Sequence, residues 1–295
     1  MLLGEFQVKH STAILLLVGT ALLWSSGGVL IKLVSWNPIA IAGMRSAISA
    51  LFLLILIRKP RFTWSFPQIA GALSYAATVT LFVSATKMTT AANAILLQYT
   101  APIYVAVLGV WLLKEKIKIV DSITIVFTMG GMVLFFMDNL SIGGMTGNIL
   151  AVFSGISFAL LFIFSRMQKD GSPIETILLG NIITAVVSIP FMFGSMPGAS
   201  SWLGLILLGV FQLGLAYVLY SIAIKQVTAL EAILTSTLEP ILNPIWVFLF
   251  LGEIPGPWAL TGGSIVLVSI TARSIITTLQ NSKAPKSKRR KDIEV

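Results

Sequence analysis

The chain has 295 residues, of which 56% are hydrophobic and only 11% charged, and 20 Lys and Arg against 11 Asp and Glu give a formal net charge of +9. Its charges are confined to short breaks between apolar runs, which leaves no polar surface for a soluble core of this length and makes the chain a polytopic membrane protein. Cysteine is absent and His10 is the single histidine, so disulfides, thiolate or histidine metal centres and Cys/His or Ser/His catalytic pairs are excluded or unsupported, no cofactor or metal is expected, and the chain does not read as an enzyme.

His10 reads as a solvated residue of the N-terminal tail. Ten apolar windows follow, at 12–34, 38–57, 67–86, 90–113, 119–138, 147–165, 174–193, 202–223, 229–251 and 257–278. Each is about 20 residues long, enough to cross roughly 30 Å of hydrocarbon as a helix, which predicts an all-α fold. The first exceeds a signal-peptide core and lacks a cleavage site, so it is read as a retained span. It carries Trp24 in mid-span with Ser25 beside it; Trp24 is either packing or a wall for a planar or cationic substrate. In the second span Arg45 lies ~10 Å from the outer end, within reach of a snorkelling anchor; the alternative is a partner for Glu239 or for a substrate carboxylate. Tyr75, Gln98, Tyr99, Asn181, Tyr217 and Tyr220 are the further aromatic and amide side chains at membrane depth.

The ninth span, EAILTSTLEPILNPIWVFLF, spaces Glu231, Thr235, Glu239 and Asn243 four apart, which predicts one polar stripe along a helix. Glu239 falls near the bilayer midplane and must face a cavity or a partner there. It is the candidate for substrate contact or proton coupling, against the simpler reading of a bundle-stabilising hydrogen bond. Pro102 and Pro240 each remove the N–H that would bond the carbonyl four residues back, at Gln98 and Ser236, and Pro244 adds a further kink. Freed carbonyls at this depth need a donor, and broken helices of this type line transport pathways.

Ten crossings put both tails on one side. Most Lys and Arg fall on that side, so both termini are expected in the cytoplasm and the protein in the cell membrane. The basic tail, KAPKSKRRK, is read as a topology signal that lies on anionic lipid headgroups rather than as a nucleic-acid patch.

Residues 85–115 align without a gap on 223–253, with Lys87/Lys225, Thr90/Thr228, Pro102/Pro240 and Glu115/Glu253 in register. With small slips Lys32 matches Arg166, Pro38 matches Pro173, and Gly130-Gly131 matches Gly262-Gly263. The expected organisation is a first repeat at 1–141, a second at 142–279 and a basic tail at 280–295. Five spans per repeat is an odd number, so the copies are expected to be inverted, the architecture of secondary transporters.

Residues 89–117, TTAANAILLQYTAPIYVAVLGVWLLKEKI, and 230–253, LEAILTSTLEPILNPIWVFLFLGE, resemble the fourth and ninth helices of EamA-type members of the drug/metabolite transporter superfamily. The resemblance implies a ten-helix basket with a central cavity, the fifth and tenth helices at its back, and export of amino acids or other small metabolites. Lys114-Glu115 departs from the commoner Gly-Glu pair, which the second copy has as Gly252-Glu253. For the paired glycines the resemblance suggests gate support or a homodimer contact, while packing within the chain is the simpler reading.

The expected function is secondary transport of a small-molecule substrate, an amino acid or related compound, by alternating access. The expected substrate-binding residues are Trp24, Ser25, Tyr75, Gln98, Tyr99, Asn181, Tyr217, Ser236 and Glu239, with Arg45 and Glu239 as a coupling or ion pair. The competing readings are a facilitative or import carrier for cationic or nucleobase-like solutes, and a membrane interaction protein that transports nothing.

Overall fold

A computed structural model describes residues 8–137, 144–193, 197–242 and 256–283, the side chains of residues 91 and 278–283 excepted. The described residues are helical, in chain order α1 (His10–Trp24 and Gly27–Leu33), α2 (Pro38–Ile57), α3 (Phe66–Met88), α4 (Ala91–Gln98 and Ala101–Leu112) and α5 (Ile119–Phe136). There follow α6 (Met145–Met167), α7 (Pro173–Ser188), α8 (Ala199–Leu207, a π segment Leu208–Leu215, and Ala216–Ala223), α9 (Ala229–Ser236) and α10 (Pro257–Lys283). Nine helices among the described residues are long and apolar enough to cross a bilayer. The remaining expected crossing, 229–251, is described only to residue 242; Asn243, Pro244, Gly252 and Glu253 lie outside the described residues, as does the tail from 284.

The outer surface is apolar along the whole barrel of helices: Leu15, Leu51, Ile55, Val107, Val126, Phe153, Val187, Leu203 and Val268 are all exposed. Arg45, Gln98, Asn181, Ser154 and Gln212 are buried. Apolar groups outside and polar groups inside is the arrangement a lipid solvent selects, since nothing in hydrocarbon can hydrogen-bond a polar side chain.

Helix starts and interruptions follow from local chemistry. Asn37 caps α2, its side chain accepting from the N–H of Ile39 at 2.9 Å and of Ala40 at 3.4 Å, with Pro38 behind it, a position where its missing N–H costs nothing. Thr90 and Thr228, matched in the internal alignment, cap α4 and α9 in the same way, accepting from Asn93 and Glu231 N–H at 3.1 Å each. Both helices pause at matched places ahead of Pro102 and Pro240. Thr100 Oγ1 donates to the Leu97 carbonyl, and Thr237 Oγ1 to that of Leu234, at 2.6 Å each. The interruption of α1 is handled likewise, with Ser25 and Ser26 hydroxyls donating to Leu22 and Leu23 carbonyls at 2.7 Å each.

Helix packing repeats with the sequence. α3 packs on α6 as α8 packs on α1, α3 on α7 as α8 on α2, and α4 on α6 as α9 on α1, while α2–α7, α4–α9 and α5–α10 join each helix to its own counterpart. The last pair is held by glycine. A Cβ added at Gly262 would fall 2.4 Å from the Gly131 carbonyl oxygen and 2.4 Å from the Phe135 nitrogen, whereas one added at Gly130 would meet nothing within 4 Å. Gly131 and Gly262 therefore serve packing within the chain.

Gly262→Val drives a side chain into backbone that cannot rotate away and is expected to cost about 1–3 kcal/mol, read as a lowered unfolding midpoint in detergent, while Gly130→Ala, with open space around it and a better helix former in place of glycine, does not lower the midpoint. Equal midpoints for the two variants would contradict the α5–α10 assignment.

Candidate functional site

The centre of the bundle holds a cavity of about 30 Å³ bordered by α1, α2, α3, α4, α6, α8 and the segment after α9. Trp24, Phe158 and Tyr217 form its aromatic wall, with Trp24 5.7 Å from Phe158 and 5.0 Å from Tyr217 between ring centroids. Its polar lining is Arg45, Thr78, Gln98, Gln212 and Glu239, and Val79, Phe82 and Leu213 complete it. Binding pockets for drug-sized ligands are about 300–1,000 Å³. The conformation is thus a contracted one, with room for water and not for a metabolite.

Arg45 is 1% exposed and does not snorkel. Its guanidinium turns inward, Nη1 donating to Gln212 Oε1 and Nη2 to the Val79 carbonyl, each at 3.3 Å. Two acceptors inside are a better solvent than the hydrocarbon its stem would otherwise cross. Nor does it pair with Glu239: the ion pairs among the described residues are His10–Glu231, Arg166–Glu115, Arg273–Asp121 and Arg273–Glu231.

Glu239 instead meets Tyr99. The Tyr99 hydroxyl hydrogen-bonds Glu239 Oε2 and also lies 3.0 Å from the Ser236 carbonyl, the oxygen that Pro240 deprives of its helical donor. One phenolic proton cannot serve two acceptors. With Glu239 protonated, the carboxyl donates to Tyr99 and Tyr99 donates to Ser236, and every group is satisfied. With Glu239 ionised, the carboxylate competes with the Ser236 carbonyl for the one phenolic proton. The matching carbonyl, of Gln98, lies against α6 at Gly155, where an added Cβ would come within 2.7 Å of it.

Of the expected site residues, Trp24, Arg45, Gln98, Tyr217 and Glu239 line the cavity. Tyr75 and Asn181 stand behind it, the Tyr75 hydroxyl donating to Asn181 Oδ1 at 2.9 Å and its ring lying 5.0 Å from Tyr217. Ser25 Oγ and Ser236 Oγ bond carbonyls of their own helix, at Leu22 and Ala232. Gln212, Phe158, Phe82, Thr78, Val79 and Leu213 are lining residues that sequence reasoning missed. Gln212 carried a signal, an amide in the apolar run VFQLGL, and the criterion that selected Gln98 and Asn181 selects it too. Ser154 joins the site from behind, accepting from Gln98 Nε2 at 2.8 Å and donating to the Thr78 carbonyl at 3.0 Å.

The expected stripe from Glu231 to Glu239 is divided by the pause at Thr237, and Glu231 belongs to a separate cluster. Its carboxylate meets His10 Nε2 at 2.9 Å and Arg273 Nη1 at 3.4 Å, and Arg273 Nε meets Asp121 Oδ1 at 2.8 Å. His10 is therefore no solvated tail residue: it ties α1 to α9, and Arg273 ties both to α5 and α10. Beside them Arg166 donates to the Lys225 carbonyl at 2.7 Å and lies 3.5 Å from Glu115, which accepts from the Ala229 N–H at 3.4 Å. Burial pushes the Glu115 carboxyl above the usual carboxylate range, against the pull of Arg166. At the matched start of α4 the contacts are neutral: Asn148 Oδ1 accepts from Thr89 at 2.8 Å and from Asn93 at 3.1 Å.

A lipid-facing helical bundle whose two matched halves meet on a polar, aromatic-walled centre is a multi-pass membrane carrier. The sequence profile of the EamA-like transporter family matches residues 11–137 and again residues 145–274, and the chain belongs to that family, within the drug/metabolite transporter superfamily. Membership of a transporter family sets aside the reading as an interaction protein. The chain is 28% identical to an uncharacterized transporter of Archaeoglobus fulgidus over 65% of its own length and 70% of the relative's. It is 26% identical to the uncharacterized transporter YwfM of Bacillus subtilis, over 85% and 89%. It is also 23% identical to mouse solute carrier family 35 member G1, over 90% and 78%. One crystal structure superposes with a TM-score of 0.77 at 17% identity, covering 90% of this chain and 97% of that one, a likeness of fold.

Arg273→Ala leaves the buried Asp121 without its ion-pair partner and Glu231 with His10 alone, and is expected to destabilise the protein by about 3–5 kcal/mol, with Arg273→Lys intermediate, measured as unfolding midpoints in detergent. An unchanged midpoint for the alanine variant would show that the cluster holds nothing together.

Proposed function

We propose that the protein is a secondary transporter that exports amino acids or related compounds across the cell membrane by alternating access. Its repeats, 1–141 and 142–279, cross the bilayer in opposite senses, and both termini are cytoplasmic. The observation that carries this reading is Glu239: a carboxyl at the central cavity, on the segment where α9 is interrupted, hydrogen-bonded through Tyr99 to the carbonyl that the interruption frees. An ammonium group suits this end of the cavity, since the carboxyl and the faces of Trp24 and Tyr217 all attract a cation.

Proton coupling follows from the same contacts. Loss of the proton from Glu239 draws Tyr99 off Ser236 and loosens the joint between the two pieces of the helix, so protonation state and helix geometry are linked. The cytoplasmic ion-pair cluster closes one mouth of the bundle and the Thr89–Asn93–Asn148 contacts the other. In alternating access each is broken in turn.

The aromatic wall alone also suits a planar or cationic solute, the substrate of a facilitative or import carrier. Arg45 on the same cavity opposes a purely cationic one by charge repulsion.

Counterflow of radiolabelled leucine in proteoliposomes, with and without a pH gradient, is the test. The natural protein is expected to exchange amino acid and to respond to the gradient. Glu239→Gln is expected to abolish the response to the gradient, and Tyr99→Phe to reduce it, with exchange slowed about tenfold or more in both, the scale of a lost charge-assisted hydrogen bond. Unchanged exchange and unchanged pH response in Glu239→Gln would refute the reading.

A further inference from the structure

We propose that Arg45 is the docking point for a carboxylate on the transported solute; the inference rests on the reading of the central cavity as the transport site. Arg166 and Arg273, the other arginines drawn into the bundle, each lie within ion-pair reach of a carboxylate, at 3.5 Å and 2.8 Å. Arg45 is 1% exposed and has none among the described residues. Its two hydrogen bonds go to neutral oxygens, Gln212 Oε1 and the Val79 carbonyl, both at a long 3.3 Å, and its Nε has no hydrogen-bond partner. A guanidinium presents five donors in a planar fork that matches a carboxylate with two parallel bonds. A cation at this depth with no carboxylate in direct contact among the described residues is retained at high cost, and an anion that reaches it lowers that cost.

The surroundings fix which anion. Arg45 borders the cavity itself, so what answers it enters through the cavity. Gln212 holds the guanidinium from the π segment of α8. Glu239, on the same cavity and out of ion-pair reach, is left for an amine. A solute with a carboxylate at one end and an ammonium at the other spans the two, its apolar part against Trp24, Phe158 and Tyr217. Gln212 is a positioning residue: it orients the guanidinium without supplying charge.

Three isosteric probes separate the ends of such a solute: leucine, 4-methylpentanoate, which lacks the amine, and 3-methylbutylamine, which lacks the carboxylate. The readout is the shift in unfolding midpoint of the purified full-length protein in detergent at matched probe concentrations. Leucine and 4-methylpentanoate are expected to raise the midpoint and 3-methylbutylamine to raise it less. Arg45→Gln is expected to abolish the response to both acids, and Gln212→Ala to weaken their apparent affinity about tenfold, the worth of one hydrogen bond to a charged group. Arg45→Lys, which keeps the charge and loses the fork, is expected to retain a weakened response and serves should the glutamine variant not fold. A response to the acids that survives Arg45→Gln, a larger response to the amine, or no response to either acid overturns the proposal. Binding of 4-methylpentanoate that depends on Arg45, in a protein that exchanges no amino acid, would sink the transport reading and keep this one. Leucine counterflow at the natural rate in Arg45→Gln would do the reverse.

Discussion

Backbone hydrogen bonding in lipid is the constraint on which the rest depends. A carbonyl or N–H without a partner in hydrocarbon costs several kcal/mol, so a membrane helix departs from regularity only where something else answers the freed groups. In this chain the departures converge. The pauses of α4 and of the segment after α9 lie beside the central cavity, and the π segment of α8 supplies Gln212 and Leu213 to its lining. Hydroxyls from Ser25, Ser26, Thr100 and Thr237 satisfy carbonyls at the interruptions, and Tyr99 reaches across from one half to satisfy Ser236 in the other. The irregularities are concentrated where the protein can solvate them, and that place is also where a solute would be handled.

Duplication explains the frame, and departures from duplication set the chemistry of the centre apart from it. Packing partners recur between halves, and both interrupted helices start on a threonine cap. The chemistry added to that frame is unequal. Ala101 stands where the second half has Glu239, and Asn93 where it has Glu231. The start of α9 is therefore held by ion pairs among His10, Glu231, Arg273 and Asp121, and the matched start of α4 by amides and a hydroxyl. Ion pairs weaken with salt and with protonation of their carboxylates, whereas neutral contacts do not. Two halves of similar packing thus carry contacts that respond differently to their surroundings.

Much of the frame was legible in the sequence. Apolar windows located the helices because lipid imposes length and composition together, and Pro102 and Pro240 located the interruptions because proline cannot donate. Paired glycines were read as packing within the chain, and the structure shows that Gly131 and Gly262 pack α5 on α10. The direction Arg45 faces was legible in part and overlooked: Ser46 and Ser49 share its side of α2 and are buried with it, although the acceptors that draw Arg45 inward lie on α3 and α8. His10 was misread for a similar reason, since its partner Glu231 is 221 positions away and only the packing of α1 on α9 joins them. The stripe on the ninth span failed at Thr237, where a spacing of four assumed a continuous helix. Gln212 was overlooked although its type and depth matched residues that were chosen.

The central claim is that the space between the halves is reached from both sides of the membrane in turn. The natural chain has no cysteine, so Gln98→Cys introduces a single thiol at the cavity, at the loss of the Gln98–Ser154 hydrogen bond. Labelling by a membrane-impermeant thiol reagent, in right-side-out and in inside-out vesicles, reports access from each side. The account predicts slow labelling from both sides and protection from both by a transported solute. Labelling from one side alone, indifferent to every solute tried, would contradict it.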